Sequence, residues 1–114
     1  MDMKDIIEYD DFSKLDMRAG TILSCEKVEN AEKLYKIMVD VGEENPRQIV
    51  SSLVDYYTAE ELTGKRIIVL VNLKPRKMRG IESQGMLLCS ETDDGKTCVL
   101  LKPEKDVEPG TPVT

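Results

Sequence analysis

The sequence predicts an all-β domain: a five-stranded Greek-key barrel of the OB type, with a short helix after the third strand and a C-terminal extension. Three observations lead there. Tyr35, Ile37, Val39 and Val41 alternate with Lys36, Met38 and Asp40, the period of a half-buried strand. Thr58 and Glu61 stand at capping-box spacing, followed by Leu62 and a stopping Gly64, and this helix signal falls between the third and fourth apolar runs. The resulting order is three strands, a short helix, then two or more strands. An SH3-like barrel has similar strand content; the helix between strands three and four favours the OB arrangement.

Taken in order, Tyr9 to Ser13 reads as a short turned or helical lead-in. In the first strand Met17, Ala19 and Ile22 can share one face only if the chain bulges near Gly20-Thr21, where glycine has no Cβ to obstruct it. A long, bent first strand is what a small, strongly coiled barrel needs. Residues 30–33 form a polar connection, residues 35–41 the second strand, and residues 42–46 a turn that opens on Gly42 and closes on Pro46. Residues 47–51 are the third strand. After the helix, residues 66–73 form an apolar run rich in β-branched side chains, a buried strand ended by Pro75. Residues 74–84 read as a polar, basic loop. Residues 85–89 resume as strand, Asp94-Gly95 turns the chain, and residues 98–101 follow as another strand. Pro103, Pro109 and Pro112 keep the tail, residues 102–114, extended or turned.

The chain has 114 residues, 40% of them hydrophobic, which suits one packed domain over residues 1–114. The longest apolar run, residues 67–71, is too short to cross a bilayer, and the charged start Met1-Asp2-Met3-Lys4-Asp5 lacks the apolar stretch of a signal peptide. The expectation is a cytoplasmic protein with no membrane partner. Cys25, Cys89 and Cys98 are odd in number and form no Cys-x-x-Cys pair, so they read as buried structural thiols rather than disulfides or zinc ligands. Histidine is absent, which removes the commonest general base and metal ligand together. No nucleophile–base pair is evident, so neither an enzyme nor a cofactor is expected.

The formal net charge is −6, which taken alone argues against nucleic acid. Its distribution argues the other way. From Lys65 to Gly80 the charged residues are Lys65, Arg66, Lys74, Arg76, Lys77 and Arg79, with no acid among them. A basic block on an acidic chain is either a localised anion site or a solvated strand end and loop.

Three segments carry a family resemblance over roughly residues 9–114. Asp11-Phe12-Ser13-Lys14-Leu15-Asp16-Met17-Arg18-Ala19-Gly20 resembles the opening of the tRNA-binding domain found at the C-terminus of many methionyl-tRNA synthetases. Ala31-Glu32-Lys33-Leu34-Tyr35 is similar to its second motif. Asn72-Leu73-Lys74-Pro75-Arg76-Lys77-Met78-Arg79-Gly80-Ile81-Glu82-Ser83-Gln84-Gly85-Met86 is similar to its third and most specific one. The family also includes free-standing dimeric tRNA-binding proteins, separate β subunits of methionyl-tRNA synthetase, domains of synthetase-associated cytokine precursors, and the secretion chaperone CsaA. The resemblance implies an OB fold, tRNA binding in support of a methionyl-tRNA synthetase core, and a homodimer. A CsaA-like peptide-binding chaperone is the alternative, and an adaptor that never touches RNA a further one. The sequence departs from related second motifs in having Lys27-Val28-Glu29 where His-Pro often precedes the Asn-Ala run.

On that resemblance Lys74, Arg76, Lys77 and Arg79 would meet phosphates, arginine as a fork and lysine as a point charge. Asn72 either contacts a base edge or 2′-hydroxyl, or caps local backbone at a strand end. Ser83 and Gln84 offer neutral hydrogen bonds. Met86 either presents an apolar surface to a base or packs in the core. Lys33, Lys36 and Arg18 fall on or beside the first two strands, where an OB face binds, and Arg47 starts the third on the same side. With no tryptophan and one phenylalanine, stacking platforms are few, and Tyr35 reads as a packing residue. Binding should follow tRNA shape and backbone, with DNA not a partner.

Overall fold

One long strand organises the barrel. In the computed structural model, which describes residues 2–114, β1 (Met17–Lys27) serves two antiparallel partners in succession. Its first half, Met17 to Thr21, pairs with β4 (Arg66–Leu70), and its second half, Thr21 to Lys27, with β2 (Tyr35–Asp40). A strand shared in this way must bend. The register shifts between Ile22 and Ser24, so the bulge lies at Leu23 and not near Gly20-Thr21 as the alternation suggests. Gly20 meets a different need. A Cβ there would lie 3.0 Å from the Asp40 carbonyl oxygen and 3.1 Å from the Ile67 side chain, because β2 and β4 both close on β1 at this point.

β3 (Arg47–Ser51) adds to β2 and β7 (Met86–Leu87) adds to β4, giving the sheet order β3-β2-β1-β4-β7. The two edges then meet. The Gln84 backbone N–H donates to the Gln48 carbonyl at 2.8 Å, and the Gln84 Oε1 accepts from the Gln48 N–H at 2.9 Å. The Ser83 Oγ accepts from the Val50 N–H at 3.0 Å. Side chains thus supply most of the ladder that closes the barrel. The predicted five-stranded OB barrel is the fold observed.

Inside sit Ile22, Ile37, Val39, Ile49, Ile67 and Val69, all fully buried. The short helix α2 (Ala59–Leu62) lies between β3 and β4 as expected. Both capping-box bonds form, from the Glu61 N–H to the Thr58 Oγ1 and from the Thr58 N–H to the Glu61 Oε1. The helix buries Leu62 in the core that fills the barrel. The lead-in is the short helix α1 (Tyr9–Ser13).

Elsewhere the segments differ from the pattern reading. The fourth strand stops at Leu70: the Val71 N–H still bonds the Asp16 carbonyl in register, but the Asp16 N–H goes to the Asn72 Oδ1 and the Val71 carbonyl to Arg47, so the ladder ends there. The last stretch divides: after β7 comes β8 (Cys89–Glu91), paired with β9 (Cys98–Leu100) in a hairpin of its own. The tail takes up the edge of β1 that β2 leaves free, through bonds linking Ala19 with Thr111 and Gly110, and Met17 with Val113. The three cysteines are free and half-buried rather than fully buried. Burial pushes the Cys25 thiol up to about 11 and that of Cys89 up to about 12, so both stay protonated at neutral pH. Among the described residues no helix is long and apolar enough to cross a membrane.

Candidate nucleic-acid interface

The connection from β4 to β7 carries four of the six cations of the basic block, Lys74, Arg76, Lys77 and Arg79, and it is folded. β5 (Arg76–Met78) and β6 (Ile81–Ser83) pair as a hairpin, with Arg76 opposite Ser83, Lys77 opposite Glu82 and Met78 opposite Ile81. Arg79 and Gly80 form the two-residue turn with φ of 54° and 81°, a type I′ geometry whose hand matches the strand twist. From sequence alone this segment reads as a polar, basic loop. The usual Asn-Gly signal is replaced by Arg-Gly, and each arm is only three residues long. What holds the hairpin is tertiary. Met78 and Ile81 pack with Leu34 on a second apolar cluster of Val28, Ala31 and Val50, which docks the hairpin against β3 and the β1–β2 connection.

On this platform Lys74, Arg76, Lys77 and Arg79 are all exposed. Among the described residues none of the four forms an ion pair. Three of these cations on one small hairpin, with Lys74 just before it, make a concentrated positive surface on an acidic protein. Glu82 is the acid within it, and it accepts a hydrogen bond from the Gln84 Nε2 at 3.3 Å. Arg79 also lines a cleft of about 400 Å³ with Asn30, Glu32, Lys33 and Leu34, so the hairpin tip and the β1–β2 connection share one surface.

The other anticipated cations are engaged. The Lys33 Nζ lies 2.7 Å from the Asp55 carboxylate, and the Lys36 Nζ 2.7 Å from that of Glu26. Lys33 keeps most of its side chain in solvent and lines the same cleft as Arg79. Arg18 is more firmly held. Its guanidinium donates to both Asp16 oxygens, at 2.7 and 3.1 Å, and to the Gly110 carbonyl at 3.3 Å. The Arg18 hydrogen bond holds the Asp16 carboxyl below its usual range.

Three residues expected to meet RNA make hydrogen bonds within the fold. The Asn72 Nδ2 donates to the Lys14 carbonyl at 2.7 Å, and its Oδ1 accepts from the Asp16 N–H at 2.9 Å, so of its two readings the strand-end cap is the one observed. Ser83 is 5% exposed, and its hydroxyl is shared between the Val50 N–H and the Gly85 carbonyl. Gln84 closes the barrel against Gln48 through its backbone and its Oε1. These groups fix where the hairpin stands. Met86 is 45% exposed, not a core residue.

Arg47 has a role that sequence reasoning did not anticipate. Its Nη1 donates to the carbonyls of Val71 and Gln84, at 2.7 and 2.9 Å, and its Nε and Nη2 grip the Glu43 carboxylate at 2.7 and 3.0 Å. Val71 and Gln84 are the two ends of the connection that bears the hairpin, so one guanidinium staples both. The Arg47 hydrogen bond also holds the Glu43 carboxyl below its ordinary value of 4.5, and the pair therefore survives acidification past that point.

Comparison with known proteins agrees with this geometry. Residues 17–112 match the family model described as a putative tRNA-binding domain. The chain is 54% identical over 113 residues to the methionine–tRNA ligase of Archaeoglobus fulgidus, a stretch that is 99% of this chain and 17% of the ligase. A MetRS-related protein from Pyrococcus horikoshii superposes with a TM-score of 0.89 at 40% identity, covering 97% of this chain and 100% of that one. The CsaA chaperone protein from Picrophilus torridus superposes with a TM-score of 0.85 at 32% identity, covering 96% and 100%. The matched span runs from the start of β1 through the hairpin to the tail that closes on β1, and on that ground the chain belongs to the putative tRNA-binding domain family.

Proposed function

We propose that residues 1–114 act as one binding module that grips folded tRNA through the β5–β6 hairpin, with Lys74, Arg76, Lys77 and Arg79 on phosphates and Lys33 completing the surface. The module brings binding energy and no chemistry of its own, and it serves a methionyl-tRNA synthetase core. The observation that carries this reading is the set of four exposed cations, without ion-pair partners among the described residues, on and just before a docked hairpin. Its support from relatives is the 54% identity to part of a methionine–tRNA ligase. Titration with folded tRNA, unfolded RNA and duplex DNA in parallel tests it. Folded tRNA should bind tightest, with a log–log salt slope of about −2 to −4 from roughly three to five phosphate contacts. Added to a synthetase core lacking such a module, the chain should lower the apparent KM for tRNA and leave kcat nearly unchanged. Equal binding of all three nucleic acids would count against the reading.

The likeness to a CsaA chaperone favours a second reading, peptide binding by the same barrel. Suppression of aggregation of an unfolded protein, without tRNA binding, is the result that would prefer it.

We further propose a homodimer about a two-fold axis. Val99, Leu101 and Val113 are large apolar side chains left in solvent by β9 and the tail. Sedimentation at micromolar concentration should give twice the chain mass of 12.9 kDa, and a clean single-chain mass would reject the dimer.

A further inference from the structure

We infer that a small pocket beside the hairpin receives one unstacked nucleobase of the bound RNA. The inference rests on the tRNA-binding reading above and adds a specific site to it.

The pocket has a volume of about 170 Å³ and an apolar lining that includes Leu73, Met78 and Met86. Leu73 is 44% and Met86 45% exposed. The first lies in the connection just beyond the end of β4 and the second begins β7, the strand paired with β4, so the two flanks stand at the two ends of the hairpin connection. Lys74 and Arg76 line the same pocket. Apolar side chains interleaved with cations suit a ligand that is apolar on one part and anionic on another. A nucleotide has that division: a π-face that packs on apolar groups and a phosphate beside it. The volume suits a single ring system rather than an extended chain.

The pocket also offers hydrogen bonds. Barrel closure along β3 ends at Val50, where Ser83 takes its N–H. Ser51 and Ser52 carry the chain onward and line the pocket. Among the described residues the Ser52 N–H makes no backbone hydrogen bond. A base edge placed between Leu73 and Met86 would bring donors and acceptors to these serines. Among the described residues no aromatic side chain lines the site, so the base is held by thioether and isobutyl groups, which a polarizable methionine can shape to either face.

Methyl-labelled methionine in the intact chain gives a direct test. On adding folded tRNA, the Met86 and Met78 methyl resonances should move upfield under the ring current of the inserted base, while that of Met17, on β1, stays in place. Met86→Ser should weaken tRNA about tenfold and leave the salt slope unchanged, because it removes a stacking contact and no charge. If tRNA binds with its salt dependence while the Met86 and Met78 methyls stay fixed and Met86→Ser binds like the parent, the pocket assignment fails and the tRNA-binding reading stands. If tRNA does not bind at all, both fall. If an extended apolar peptide moves these methyls and tRNA does not, the pocket belongs to a peptide and the inference is overturned.

Discussion

Replacing Arg76, Lys77 and Arg79 together with alanine should weaken folded tRNA by about two orders of magnitude at ~0.1 M salt, and should flatten the log–log salt dependence by about two to three units. Each phosphate contact releases condensed counterions, contributing a slope of roughly 0.7 to 0.9, so three contacts removed should show in slope and affinity together. Folding should barely change. All three side chains are exposed and form no ion pair among the described residues, and substitutions of that kind usually fall within about 0.5 kcal/mol. Arg79→Gly separates the two effects within one residue. The positive φ of 54° is strained for arginine and free for glycine, so this variant should melt no lower than the parent while binding about fivefold more weakly. If the triple variant keeps the parent's affinity and slope, the hairpin cations are merely solvated and the tRNA surface lies elsewhere.

The same charges are concentrated on an otherwise acidic protein. The net charge of −6 repels polyanions over most of the surface. Several cations outside this segment are paired with carboxylates: Arg18 with Asp16, Lys33 with Asp55, Lys36 with Glu26, Arg47 with Glu43. On the proposed reading, the cluster of cations on and beside the hairpin is where a nucleic acid approaches most favourably.

The sequence made the barrel legible because its signals are local. Alternation along residues 35–41, the Thr58–Glu61 capping box and the apolar run of β4 each specify an element without reference to distant residues. The misreadings arose where a distant contact decides. The bulge falls at Leu23 because β1 must leave β4 and join β2, which depends on three strands at once. The hairpin was hidden because its arms are short and its anchor, Met78 with Ile81, is recognisable only against Val28, Ala31 and Val50. The basic cluster was legible as charge. The roles of Asn72 and Ser83 were not, since an amide or hydroxyl in a motif looks the same whether it faces RNA or closes a barrel. Their partners, Lys14, Asp16 and Val50, lie 58, 56 and 33 residues away in sequence.

Arg47→Met should destabilise the protein by about 2–3 kcal/mol and weaken tRNA severalfold without touching a phosphate contact. Methionine keeps the apolar stem but removes every donor. The carbonyls of Val71 and Gln84 then lose bonds of 2.7 and 2.9 Å at a side chain only 25% exposed, and groups left unpaired in such a place cost about 1–3 kcal/mol each, less whatever water can reach. Lysine should rescue little, because one ammonium cannot span two carbonyls and a carboxylate in the guanidinium's fork geometry. Glu43→Gln offers the milder comparison, since it weakens the ion pair and leaves both carbonyl bonds in place. The effect on binding follows from freeing the two ends of the hairpin connection, whose ordering must then be paid on association. Chemical denaturation should show the loss of stability, and tRNA titration across salt should show a lower affinity with an unchanged slope. That combination marks a positioning residue, whereas a slope reduced by about one unit would mean that Arg47 itself reaches a phosphate and that its carbonyl bonds are incidental.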